Sequence, residues 1–358
     1  MNYQIEKNGK PAYWQLYRQV REDIVKGVYP YGSKLPSKRL TAEEVGVSTV
    51  TVEHAYALLT EEGYIESRQR SGYRVIFRPA DGFASAPVGP VPAPLPSAAP
   101  GPAAPMLLRA MRRVTAERGE ALFARSPGAG CPELRQAIAG YLARSRGVTA
   151  GEEQIVIGSG SEYLYRLILQ LLGRDRIWAI ESPSYKQIRQ VYAASGVAFE
   201  ELPLGPEGID GAALSAAKAS VLQVTPFRSF PSGVTASASK RHEYIRWAAE
   251  GDRYIIEDDF ESEFSVSRKP EETLFALSGG ERVIYMNTFS RTLSPSLRAG
   301  YMVLPPRLAP VFREKLGFYT CTVPTPVQLL LAELLESGEF ERHINRVRRQ
   351  KRREMNKV

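Results

Sequence analysis

Tyr285-Met286-Asn287-Thr288-Phe289-Ser290-Arg291-Thr292-Leu293-Ser294-Pro295-Ser296-Leu297-Arg298-Ala299-Gly300-Tyr301 begins as the end of an apolar run, Val283-Ile284-Tyr285-Met286, and then changes into hydroxyls and two arginines. A short β-rich run followed by small polar residues reads as a buried strand that delivers a loop. The same texture recurs at Gln154-Ile155-Val156-Ile157, Ile177-Trp178-Ala179-Ile180, Ser220-Val221-Leu222-Gln223-Val224 and Tyr254-Ile255-Ile256, with helical stretches at 163–172, 185–195 and 240–250 between them. That alternation predicts an α/β unit with a mostly parallel sheet covered by helices. Ligands of such sheets sit at the carboxyl ends of the strands. Polar residues fall there: Ser159-Gly160-Ser161 after the first run, 226–233 after the third, Glu257-Asp258-Asp259 after the fourth and 288–291 after the fifth.

Towards the N terminus the texture changes twice. Residues 79–105, including Ala86-Pro87-Val88-Gly89-Pro90-Val91-Pro92-Ala93-Pro94-Leu95-Pro96, lack apolar periodicity and carry too many prolines for a helix, so they read as a semi-rigid extended linker. It separates a module at 1–78 from the α/β unit at 106–358. In the first module Tyr13, Leu16, Tyr17, Val20 and Ile24 recur at helical spacing before Gly27. Ser37 is placed to cap a second helix over 38–45 that stops at Gly46. Ser48 is placed to cap a third, with Val52, Ala55, Tyr56 and Leu59 inward and Gly63 closing it. Two strands, 64–68 and 73–77, then flank the polar turn Gln69-Arg70-Ser71-Gly72. Three helices and a hairpin in this order make a winged helix-turn-helix, whose third helix is shaped for a DNA major groove.

Composition sets wide limits. With 358 residues, 43% hydrophobic and 24% charged, the chain has room for a small and a large folded domain. The start lacks an apolar signal core and no run approaches a membrane span, which reads as cytoplasmic. Cys131 and Cys321 have neither C-x-x-C nor Cys/His spacing, so they read as buried thiols, with no disulfide or metal site. Of the net charge of +8, most lies in the tail, where residues 341–358 hold eight Lys/Arg against two Asp/Glu. That tail reads either as a nucleic-acid arm or as a solvated helix whose partner is missing.

Lys34-Leu35-Pro36-Ser37-Lys38-Arg39, Gly46-Val47-Ser48-Thr49-Val50-Thr51-Val52, Glu62-Gly63-Tyr64-Ile65-Glu66-Ser67 and Ser71-Gly72 closely resemble the GntR-type winged helix. The resemblance implies double-stranded operator DNA as partner. It puts Ser37 and Arg39 on DNA at the start of the second helix, Ser48, Thr49 and Thr51 at the N terminus of the recognition helix, and Arg68 with Gly72 in the wing. Hydroxyls at a helix N terminus suit phosphate oxygens, and arginine suits a guanine edge or a phosphate. For Ser37 and Ser48 a plain capping role stays open, as does a surface ion pair for Arg39. His54 reads as a solvated face residue. Thr49 and Arg70 depart from the family's frequent arginine and glycine.

The opening stretch resembles the cofactor-lysine segment of fold-type I pyridoxal-phosphate aminotransferases, usually T-F-S-K-T-L-x-P-x-L-R-x-G-Y, with Arg291 where that pattern has lysine. Together with Pro132-Glu133-Leu134-Arg135, Ser145-Arg146-Gly147-Val148, Glu181-Ser182-Pro183-Ser184-Tyr185 and Glu257-Asp258-Asp259, the whole chain resembles the MocR subgroup of GntR regulators, chimeras of a winged helix and an aminotransferase-like domain. The resemblance implies that Gly160, Ser161, Thr288, Ser290 and Arg298 hold the phosphate of pyridoxal phosphate, that Asp258 faces the pyridine nitrogen and that Tyr185 stacks on the ring. Arg291, at the lysine's position, cannot lose a proton and so cannot form the covalent bond to the cofactor. Any cofactor is then held non-covalently. Two further departures, Phe260 for a tyrosine and Arg228-Ser229 for a His-Gln pair, are expected around the same pocket.

The family also carries a small C-terminal domain, which implies that this chain is incomplete beyond Val358. The reading is a DNA-binding transcription regulator, a homodimer by resemblance, whose α/β domain senses a phosphorylated or amino-acid-like effector without catalysis. The alternatives are an active aminotransferase and a degenerate, non-functional remnant.

Overall fold

Helix caps and apolar spacing set the first unit of the computed structural model, which describes residues 3–6, 10–68, 71–78, 103–260, 262–264 and 272–355. Helix α1 (Ala12–Val25) buries Leu16, Tyr17, Val20 and Ile24, the stripe expected from their spacing. Helix α2 (Lys38–Val45) starts where Ser37 Oγ accepts from the Leu40 amide at 3.2 Å and ends at Gly46, whose φ of 72° suits glycine. Helix α3 (Thr49–Glu61) starts likewise, Ser48 Oγ accepting from the Thr51 amide at 3.1 Å, and buries Val52, Ala55, Tyr56 and Leu59. The Tyr56 hydroxyl ties the two helices together, meeting Thr41 Oγ1 at 2.9 Å and donating to the Pro36 carbonyl at 3.2 Å. Strands β1 (Ile65–Arg68) and β2 (Gly72–Val75) pair antiparallel with Ile65 opposite Val75 and Arg68 opposite Gly72. Lys34 bridges Arg74, which adds a third short arm to the hairpin.

The chain divides into two compact units, Met1–Ser97 and Ala98–Val358. Most of the expected linker, 79–102, lies outside the described residues, while Ala104 and Pro105 already form the first turn of α4 (Ala104–Arg118). Then follow α5 (Pro132–Arg146), β3 (Ile155–Gly158), α6 (Ser161–Leu172), β4 (Trp178–Ser182), α7 (Lys186–Ala194), β5 (Phe199–Gly205), β6 (Gly208–Ile209), α8 (Gly211–Ala216) and β7 (Val221–Val224). The unit continues through α9 (Ala238–Ala249), β8 (Tyr254–Asp258), α10 (Leu274–Leu277), β9 (Val283–Thr288), β10 (Gly300–Val303), α11 (Leu308–Leu316), α12 (Thr325–Glu336) and α13 (Glu339–Met355).

These strands form one sheet in the order β3-β10-β9-β8-β7-β4-β5-β6. The pairs β4·β5, β4·β7, β7·β8 and β8·β9 are parallel, and β10 runs antiparallel to both β3 and β9. Because side chains alternate across a strand, each apolar run feeds two cores. Ile155, Ile157, Ile255, Val283 and Tyr285 join one, and Val156, Tyr254, Ile256, Ile284 and Met286 join the other. The basic C-terminal helix α13 is docked by one face: Phe340 and Ile344 are buried in the first core, and His343 Nε2 lies 2.9 Å from the Thr292 carbonyl. Both cysteines are free and buried. Among the described residues no helix is long and apolar enough to cross a membrane.

Candidate functional site

Strands β8 and β9 end at Asp258 and Thr288, and a cavity of about 230 Å³ opens there. Its wall includes Gly160 and Ser161 at the start of α6, Tyr185 just before α7, and Ser290, Arg291 and Arg298 from the loop between β9 and β10. Every residue for which the sequence implied a cofactor contact therefore borders one space. Sequence reasoning missed Glu162, Tyr165, Ile188, Thr225 and Phe230, which complete the wall. The 3.6-residue period of α6 could have found Tyr165, one turn after Ser161.

One end of the cavity is built for an anion. Gly160 has φ of 103°, and a Cβ there would lie 2.7 Å from Arg298 Nη2, so only glycine lets the guanidinium come this close. Arg298 Nη2 donates to Glu162 Oε2 at 2.7 Å and to the Ser159 carbonyl at 3.3 Å. The first amides of α6 carry the positive end of its dipole to the same place. Ser290 Oγ is buried there with no hydrogen-bond partner among the described residues.

The opposite end is acidic. Asp258 is 5% exposed. Its Oδ2 accepts from the Tyr165 hydroxyl, and its Oδ1 has no partner among the described residues. Burial pushes the carboxyl up to about 6, against the pull of the Tyr165 hydrogen bond and with a further push from Asp259. Strand alternation explains why only the middle residue of Glu257-Asp258-Asp259 serves the cavity. Glu257 turns away and accepts from the amides of Leu274 at 2.8 Å and Phe275 at 2.9 Å. Asp259 meets Arg146 at 2.8 Å and accepts from the Tyr285 hydroxyl at 2.7 Å, with both members of the ion pair buried.

Of the three departures expected around one pocket, two line it and the third does not. Phe260 and Arg291 share the wall, the guanidinium carbon 5.5 Å from the ring centroid. Arg228 and Ser229 sit behind it. The left-handed backbone at Arg228, φ of 52°, turns its side chain to the Phe264 carbonyl at 3.4 Å, and Ser229 Oγ donates to the buried carboxylate of Glu181. Glu181 also accepts from the Thr225 amide at 3.2 Å, and burial pushes it up to about 7. The role of this inner carboxylate left no mark in the local sequence, because its partners lie more than forty residues away.

The wall fits a phosphorylated aromatic ring held without a covalent bond, with an anion cradle at one end, an unpartnered carboxylate oxygen at the other and Tyr185 and Phe230 near edge-on at 6.0 Å between centroids. It does not fit covalent attachment, since no lysine among the described residues lines the cavity.

In the first unit Ser37, Arg39, Ser48, Thr49, Arg68 and Gly72 are not buried and Thr51 is half-buried. Ser37 and Ser48 both act as caps, which leaves the rest of each hydroxyl's bonding capacity to solvent or a ligand. Arg39 makes no ion pair among the described residues, whereas its neighbour Lys38 meets Glu53 at 2.8 Å. Arg68 is paired with Glu66 at 2.6 Å. Lys34 was not singled out by the sequence, yet its Cε would lie 3.2 Å from a Cβ at Gly72, which puts its charge beside the wing. His54 is exposed and meets Tyr13 edge-on. Arg70 lies outside the described residues.

Residues 12–75 match the bacterial regulatory proteins of the gntR family, and residues 99–357 match aminotransferase class I and II. The chain is 35% identical over 357 residues to an uncharacterized HTH-type transcriptional regulator, YdeL, of Bacillus subtilis (strain 168), covering 95% of this chain and 76% of the relative. It is 31% identical over 371 residues to the probable rhizopine catabolism regulatory protein MocR of Rhizobium meliloti, covering 95% and 74%. Among solved structures it is similar to LysN, an α-aminoadipate aminotransferase from Thermus thermophilus complexed with N-(5'-phosphopyridoxyl)-L-leucine, with 28% identity and a TM-score of 0.59 over 69% of this chain. The chain spans 64% of that aminotransferase, less than two thirds of its length.

Proposed function

Because this chain belongs to the GntR/MocR-type regulators, a winged helix-turn-helix fused to an aminotransferase-fold domain, we propose that it is a DNA-binding transcription regulator whose α/β unit senses a ligand without transaminase chemistry. The observation that carries the reading is Arg291 on the cavity wall beside Phe260, with no lysine among the described residues lining the space. When pyridoxal phosphate is bound covalently in such a fold, it supplies an electron sink for amino-acid chemistry, and that bond needs an amine able to lose its proton. Guanidinium keeps its proton and has no nucleophilic lone pair to offer.

In this reading Ser161, Thr288, Ser290 and Arg298 hold a phosphate, Asp258 accepts a ring N–H, and Tyr185 covers the ring. Ser37, Arg39, Ser48, Thr49, Thr51, Arg68 and Gly72 meet operator DNA, and a homodimer supplies two half-sites. The test is a mobility shift with the DNA upstream of the protein's own gene. The expected result is binding at least about a thousand-fold tighter than to an unrelated duplex at the same salt. Equal affinity for both duplexes contradicts the reading.

A further inference from the structure

We infer that the cavity selects a phosphorylated pyridine ring bearing a carboxylate, in place of the aldehyde of pyridoxal phosphate, on the substituent that faces Arg291. The inference rests on the reading of the cavity as a non-covalent phosphopyridine site, and it names that site's preferred ligand class.

The two ends of the wall fix the direction of the ring. Gly160, Ser161 and Arg298 draw the phosphate to the start of α6. The unpartnered Oδ1 of Asp258, on a residue 5% exposed, accepts the ring N–H at the other end. Between them stands the pair Arg291 and Phe260. Phe260 brings no donor. Arg291 brings a planar fork of N–H donors with no acceptor and a permanent charge. Against an aldehyde that fork finds one neutral oxygen. Against a carboxylate it finds two parallel oxygens and an opposite charge, the fork-to-fork contact that guanidinium makes best. The residue that forbids covalent capture of an aldehyde is therefore the residue that rewards its replacement by a carboxylate. Charge balance agrees, since the ring N–H answers Asp258 and the carboxylate answers Arg291.

Calorimetry on the purified full chain tests this with three ligands that share ring and phosphate: pyridoxal phosphate, pyridoxine phosphate with its alcohol, and the 4-carboxylate analogue. The expected result is that the carboxylate binds about ten-fold or more tighter than the alcohol, the gain of a charged over a neutral hydrogen-bond pair. Arg291→Gln is expected to abolish that preference while leaving the alcohol's affinity within about two-fold, which shows that the cavity is intact. Equal affinities in the unaltered protein, or a preference that survives Arg291→Gln, overturn the inference and leave the sensor reading standing. Binding of none of the three overturns both.

Discussion

The Tyr165 hydroxyl donates to Asp258 Oδ2 and so holds the carboxyl with its other oxygen unpartnered at the cavity wall. Burial alone drives Asp258 towards its neutral form, and this hydrogen bond draws it back to about 6. A ring N–H is best accepted by the ionised carboxylate. Affinity for pyridoxine phosphate is therefore expected to be full at pH 7.5 and to fall as pH drops through about 6. Tyr165→Phe removes the downward pull, so the midpoint moves up and binding at pH 7 weakens. Calorimetry at several pH values checks it, and a midpoint unmoved by the substitution counts against Asp258 as the acceptor.

Glu181 is pushed up to about 7 and Glu263 likewise to about 7, both chiefly by burial. Each folded-state value lies above the ordinary carboxyl value, so the folded chain holds more protons than the unfolded chain between them. Stability from these groups is complete below the unfolded value and is lost as pH rises through about 7. The α/β unit is expected to unfold at lower denaturant concentration at pH 8 than at pH 6. Ser229→Ala strips a donor from buried Glu181 and is expected to cost about 1–3 kcal/mol. A midpoint that rises from pH 6 to pH 8 contradicts this assignment.

Ser48 and Thr49 are adjacent, but only Ser48 caps α3. Ser48→Ala is expected to lower the stability of the first unit by about 1 kcal/mol. Thr49→Ala is expected to leave it within about 0.5 kcal/mol, as exposed positions do, and yet to weaken operator binding. Thermal melts paired with mobility shifts separate the two, and Thr49→Ala with unchanged affinity removes it from the interface.

Gly160→Ala meets a backbone at φ of 103° and sets a Cβ 2.7 Å from Arg298 Nη2. The expected outcome is that Arg298 leaves its contact with Glu162 and phosphate affinity drops at least about ten-fold, consistent with the loss of a charged hydrogen bond. Calorimetry with pyridoxine phosphate reads it, and unchanged affinity means that the phosphate sits elsewhere.

Much of this architecture was legible because it rests on local rules. Ser37, Gly46 and Ser48 mark helix ends by their own chemistry, and Val283-Ile284-Tyr285-Met286 is apolar on both faces because both faces are covered. Strand β5 escaped notice because Glu200, Glu201 and Pro203 break its apolar pattern, and β10 because four residues behind a polar loop are too few to show a period. In the cavity, residues tied to a strand end or a helix start were readable. The carboxylate at Glu181 and its donor Ser229 were not, since only the folded sheet brings them together. Nor could the sequence tell that the backbone at Arg228 turns its side chain away from the cavity.

Among the described residues no lysine stands on the wall where a covalent bond to the cofactor would form, and trapping that bond is the most direct measurement. Pyridoxal phosphate is added to the purified chain, borohydride follows, and peptides are read by mass spectrometry beside an Arg291→Lys variant. The expected result is no phosphopyridoxyl adduct in the unaltered protein and one on residue 291 of the variant. A stoichiometric adduct on any lysine of the unaltered chain, Lys186 beside Tyr185 included, would contradict it.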